Sequence, residues 1–130
     1  MTPQLTKAEE QVMQILWEIE EGAVHSVLEK FNEPRPARTT VATVLNILEN
    51  KGFVRHKNSG KINIYAPVLK KKDYSKSRLS EVLRNYFDDS FASLASFFVR
   101  ENNMTMEDFD LLLADTRDAL KAEQNTKPSN

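Results

Sequence analysis

Apolar positions recur at helical spacing from near the start of the chain, and the points where that spacing stops divide the sequence into short elements. Thr6 followed by Glu9 is a T-x-x-E capping box, in which each side chain satisfies the other's backbone amide. Behind it Ala8, Val12, Ile15, Leu16 and Ile19 trace one face of a helix that Gly22 can stop, with Met13 and Trp17 beside the stripe and Trp17 read as core. Val24, Val27, Leu28 and Phe31 repeat the spacing in a shorter second helix, which Asn32 to Pro36 breaks. From Arg38 onward Val41, Val44, Leu45 and Leu48 form the buried stripe of a third helix. Gly52 ends this helix, and Lys51 suits its negative C-terminal end. The following FVRHKNSGKINIYAPV holds two runs of strand-forming residues around Asn58, Ser59 and Gly60.

Three short helices and a hairpin predict a mainly α chain that opens with a winged helix-turn-helix, its wing two-stranded, over residues 1–72. From Asp73 the composition changes. Leu79, Val82, Leu83, Tyr86, Phe87, Phe91, Leu94, Phe97 and Phe98 lie mostly at helical spacing, and seven of the eleven aromatics fall in this last part, Tyr74 among them. Thr105 with Asp108 caps a final helix that would turn Phe109, Leu112, Leu113, Thr116 and Leu120 inward. About 50 residues of helix cannot hide so much apolar surface alone. A second copy of the chain would cover it, so residues 73–122 are expected to be a helical dimerisation domain. Its contacts would come from Leu79, Leu83, Tyr86, Phe87, Phe91, Leu94, Phe98, Phe109, Leu112 and Leu113. Residues 123–130 are expected to be a disordered tail.

Chemistry concentrates on the third helix. Opposite its buried stripe lie Thr39, Thr43, Asn46 and Asn50, a polar face without charge. Long charged side chains usually solvate an exposed helix face, whereas Thr and Asn let a backbone approach base edges and still offer a hydroxyl, a methyl or an amide. Thr39, Thr40, Thr43 and Asn46 are therefore the candidate base readers, and Arg38, Arg55, Lys57 and Lys61 the candidate phosphate contacts, on double-stranded DNA. The net charge of −1 argues against such a partner only until it is divided. Residues 1–33 carry −5 and residues 73–130 carry −4, but residues 34–72 hold nine Lys and Arg against Glu49 alone, a balance of +8.

Other functions find less support. No apolar run approaches the roughly 20 residues that span a bilayer, and MTPQLTKAEEQ lacks a basic-then-apolar signal pattern, which places the protein in the cytoplasm. Without cysteine there is no disulfide, thiolate-bound metal or thiol switch, and no cofactor or metal is expected. Catalysis is not expected either. His25 and His56 fall on different elements, none of the three glycines sits in a phosphate loop, and no pair of acids is set in a cleft. The main alternative is a winged helix that docks an acidic protein partner without reading DNA sequence.

The order and spacing of LTKAEEQVMQILWE, of TVATVLNILENKGFVRHK followed by GK and Y-x-P, and of SLASFFVREN before MTMEDFDLLL resemble the penicillinase-repressor family. That family includes the beta-lactamase and methicillin-resistance repressors and the copper-responsive repressors, and the likeness runs from about Leu5 to Leu120. It implies a homodimer that represses by covering a palindromic operator beside the promoter. Thr40 and Thr43 match the family's paired threonines, whereas Ala42 and Ile47 stand where members commonly carry a long polar or basic side chain. In the antibiotic-resistance members a protease cuts between an Asn and a Phe in the dimerisation helix, with a membrane-bound sensor protease as a further partner. The corresponding pair here is Phe97 and Phe98, so the scissile Asn is replaced and a protease of different specificity would have to act. The copper-responsive members use a C-terminal cysteine motif, which a chain without cysteine cannot supply.

Overall fold

The computed structural model describes residues 4–126, which divide into two compact units between Ser80 and Glu81. The first unit holds α1 (Lys7–Ile19), α2 (Val24–Glu29), α3 (Arg38–Asn50), the antiparallel hairpin of β1 (Val54–Ser59) and β2 (Ile62–Pro67), and the start of α4 (Lys71–Tyr86). The second holds the rest of α4, then α5 (Phe91–Glu101) and α6 (Met106–Thr126). The chain is thus mainly helical, with three helices leading into a two-stranded wing.

The capping box of α1 forms as its sequence implies: the Glu9 amide donates to Thr6 Oγ1 at 3.2 Å, and the Thr6 amide to Glu9 Oε1 at 2.8 Å. Its consequence for the core is less obvious. Ala8, expected inside, is exposed, and Glu9 is buried beside it, only 3% exposed. The box turns the Glu9 side chain back over the helix start, where its second oxygen meets Lys51 Nζ at 2.6 Å, just beyond α3. Val12, Met13, Ile15 and Leu16 complete the buried face and pack with Val27, Val41, Val44, Leu45, Leu48, Val54 and Tyr65.

Burial pushes the Glu9 carboxyl up, but the hydrogen bonds from Lys51 and Thr6 together outweigh it and hold the pKa below its ordinary value. A carboxylate depressed on folding stabilises the native state above its unfolded pKa, and that contribution disappears as pH falls through the folded one. Glu9→Gln is therefore expected to unfold at lower urea than the parent near neutrality. The gap should close in acid, as midpoints measured from about pH 7 down to pH 3 would show.

Gly22 does not stop α1. The helix ends at Glu20, which takes φ 73° and returns its amide to the Leu16 carbonyl at 2.7 Å. Gly22 instead pairs with β2: its amide donates to the Tyr65 carbonyl at 2.9 Å, and the Tyr65 amide to the Gly22 carbonyl at 2.8 Å. A Cβ at Gly22 would lie 2.8 Å from Ile19 Cδ1, the mobile end of that side chain, and 3.1 Å from Ser26 Cβ, so a larger residue there would have to push both aside. This bridge ties the wing to the helices. The hairpin loop is also shorter than expected, because Ser59 pairs with Ile62 and leaves only Gly60 and Lys61 between the strands. Asn58 and Ser59 belong to β1, and Gly60, at φ 66°, takes the first loop position, where a type II′ turn calls for glycine.

Tyr74, grouped by sequence with the C-terminal aromatics, belongs to the first unit's core. Its ring lies 5.9 Å from that of Trp17, and its hydroxyl accepts from the Leu5 amide and donates to Glu10, each at 3.3 Å. Trp17 is half-buried at the rim, with Nε1 donating to the Leu69 carbonyl at 2.8 Å.

In the second unit Asp88 and Asp89, both at positive φ, turn the chain after α4, and Ser90 caps α5 by accepting the Ser93 amide at 3.1 Å. Thr105 and Asp108 cap α6 reciprocally at 3.0 Å. That helix continues to Thr126, so residues 123–126 are helical where a tail was expected; Ala122, Glu123 and Gln124 are good helix formers and simply prolong it. The rest of the expected tail, 127–130, lies outside the described residues. The apolar stripes of this unit are present but uncovered. No residue of α5 is buried, and Leu112, Leu113 and Leu120 of α6, expected to point inward, are exposed. Leu83, Phe87, Leu94 and Phe109 are half-buried, with the Phe87 and Phe97 rings 5.4 Å apart.

Candidate nucleic-acid interface

The face of α3 is set by its buried stripe. With Val41, Val44, Leu45 and Leu48 turned into the core, Thr39, Thr40, Thr43 and Asn46 are left exposed, together with Ile47 and Asn50. Each candidate base reader is on the surface, and Thr39, Thr43 and Asn46 fall on one helical strip. Arg38 opens the helix. Its N-cap is Ala37, so no side chain caps the first turn of the helix.

The hairpin supplies the cations. Because side chains alternate along a strand, Arg55 and Lys57 share one face of β1 and His56 takes the other, while Lys61 stands in the loop at the tip. All three cations are exposed. Lys57 has a carboxylate oxygen of Glu21 at 3.7 Å, a solvated pair that a phosphate could displace at little cost. Among the described residues Arg38, Arg55 and Lys61 form no ion pair. Arg35, also in the basic block, is committed elsewhere: its guanidinium donates to the Phe31 carbonyl at 3.2 Å and to that of Glu29 at 3.1 Å, closing the end of α2.

Two residues that sequence reasoning passed over hold the helix and the wing together. Glu49, the sole acid of the basic block, accepts the His56 backbone amide at 3.0 Å, and the His56 ring Nδ1 lies 2.6 and 2.8 Å from its two oxygens. A carboxylate only accepts, so Nδ1 carries the hydrogen. The other side of the imidazole rests on Tyr65, with ring centroids 5.5 Å apart, and Tyr65 is the residue bridged to Gly22. The end of α3 is thereby tied to β1 between the two strand cations. The alternation that puts His56 on the inner face of Arg-His-Lys was the available signal.

Thr43 departs from a free hydroxyl. Its Oγ1 donates to the Thr39 carbonyl one turn back at 2.9 Å, which leaves an acceptor lone pair and the methyl for any outside partner. Among the described residues no helix is long and apolar enough to cross a membrane, and no three His, Asp or Glu side chains converge as metal ligands would.

The profile of the family described as Penicillinase repressor matches residues 5–116, most of the chain. The penicillinase repressor of Bacillus licheniformis is similar at 22% identity over 85% of this chain and 87% of its own length. The methicillin resistance regulatory protein MecI of Mammaliicoccus sciuri is similar at 23%, over 85% and 91% respectively. Among solved structures, that of the DNA-binding domain of the repressor BlaI superimposes with a TM-score of 0.50 at 27% identity, covering 57% of this chain and 92% of the domain.

Proposed function

The chain belongs to the penicillinase repressor family, and on that premise we propose that it is a cytoplasmic transcriptional repressor that binds a palindromic DNA operator as a homodimer. The observation that carries this reading is the uncharged outward face of α3, flanked by a wing whose cations are exposed. Thr39, Thr40, Thr43 and Asn46 meet base edges in the major groove, and Arg38, Arg55, Lys57 and Lys61 hold phosphates on either side. Two copies place their α3 helices about one turn of the duplex apart, near 34–36 Å. The second copy is seated on the uncovered helices of the C-terminal unit, where Phe91, Leu94, Phe98, Phe109, Leu112 and Leu113 line an apolar groove between α5 and α6. Leu79, Leu83, Tyr86 and Phe87, on α4 and just after it, add further contacts to the second copy.

Release from DNA through a cut between Phe97 and Phe98 would act by severing α5 inside the pairing surface. Both side chains are exposed, but the bond lies within a helix, so a membrane-bound sensor protease or any other would have to unwind that turn first. A protein-docking winged helix is the competing reading, and DNA separates the two. With four cations on each of two protomers, log K should fall against log salt with a slope of about −7, and one duplex recovered from a random pool should bind far above the pool itself. Lys57→Ala should flatten that slope by about two units in the dimer, while leaving sequence preference intact. Equal affinity for every duplex would leave the docking reading in its place.

A further inference from the structure

Ile47 is out of character with its neighbours. On a face otherwise built from Thr and Asn it presents an apolar side chain that is 41% exposed, one turn beyond Thr43. A single exposed aliphatic residue on a protein surface is ordinary. This one lies within the strip proposed above to enter the major groove, where it would be stripped of water on binding and could offer nothing to a purine N7 or O6, or to a phosphate. Thr43, its neighbour at i−4, has its hydroxyl hydrogen spent on Thr39, so the surface that the two residues share is largely methyl. The one apolar group on the floor of the major groove is the C5 methyl of thymine.

We propose that Thr43 and Ile47 form an apolar pair that reads a thymine methyl, so that each operator half-site carries a T at the position facing this turn of α3. The inference rests on the DNA-binding reading and adds the base that this part of the helix selects. It also assigns Ile47 a role in specificity, where a longer polar side chain would select a different base.

The test uses the full-length protein and a duplex selected by it from a random pool. Thymines are replaced one at a time by deoxyuridine, which keeps every hydrogen-bonding group and charge and removes only the methyl. At one position per half-site the replacement should weaken binding about fourfold, as expected for one buried carbon, and by about 15-fold when both half-sites are changed. Ile47→Ala should abolish most of that penalty while leaving penalties at other thymines unchanged. Its surface position predicts a nearly unaltered unfolding midpoint, which a thermal melt confirms or denies. If no thymine shows a penalty, or if Ile47→Ala leaves each penalty as it was, the assignment is overturned although salt-dependent binding to the selected duplex persists. If no duplex can be selected at all, both this inference and the repressor reading are overturned.

Discussion

Leu45→Ala is expected to lower the stability of the N-terminal unit by about 2–5 kcal/mol, a large share of the 5–15 kcal/mol typical of a whole domain. Leu45 is fully buried, midway along α3, in a core to which α1, α2 and the hairpin also contribute. The loss comprises the transfer free energy of the missing carbons and the cavity left where the surrounding helices cannot close. Two residues away, Ile47→Ala should cost far less, on the order of 0.5 kcal/mol, because that side chain lies at the surface, 41% exposed, and leaves no enclosed cavity. Urea midpoints of the two variants measure the contrast directly. A small effect at Leu45 would mean that α3 is not packed as described, and then the exposure of its outer face would have to be abandoned with it.

That contrast was legible in the sequence because it depends on periodicity alone. Val41, Val44, Leu45 and Leu48 share one side of any helix that contains them, and the two reciprocal caps, Thr6 with Glu9 and Thr105 with Asp108, depend on residues three apart. What escaped the sequence reading was set by partners far along the chain. Glu9 is buried because Lys51, 42 residues later, neutralises it, and nothing near Glu9 announces that partner. Gly22 reads as a helix stop until Tyr65 is seen paired with it. Tyr74 looks like one more C-terminal aromatic until Trp17 and the Leu5 amide are found beside it. Glu49 and His56 are only seven residues apart, and their pairing could have been inferred from strand alternation and from the isolation of one acid among nine cations. The exposed, uncharged face of α3 is legible because a surface without charge is visible in composition, whereas the tie that fixes wing to helix is a contact.

The largest effect is expected on the C-terminal helices. Phe98→Ala with Leu112→Ala removes two apolar side chains that flank the groove between α5 and α6. In a two-fold dimer each substitution is counted in both protomers. Phe98 and Leu112 are about half exposed in the single chain, so pairing adds about half of the 1.5–3 kcal/mol that full burial contributes, and the two changes counted in both protomers should weaken association by about 3–6 kcal/mol, a factor of roughly 10²–10⁴. Both residues are exposed in the single chain, so neither change should cost much helix, and circular dichroism should be nearly that of the parent. Sedimentation equilibrium should then show the parent at twice the chain mass and the double variant at the chain mass. Operator affinity should fall with it, because two half-sites held by one linked pair bind far more tightly than either alone. A half-site duplex, which needs only one winged helix, should bind both proteins equally. If the parent sediments as a single chain at every concentration, the exposed stripes of α5 and α6 are covered by something other than a second copy, and a palindromic operator loses its structural basis.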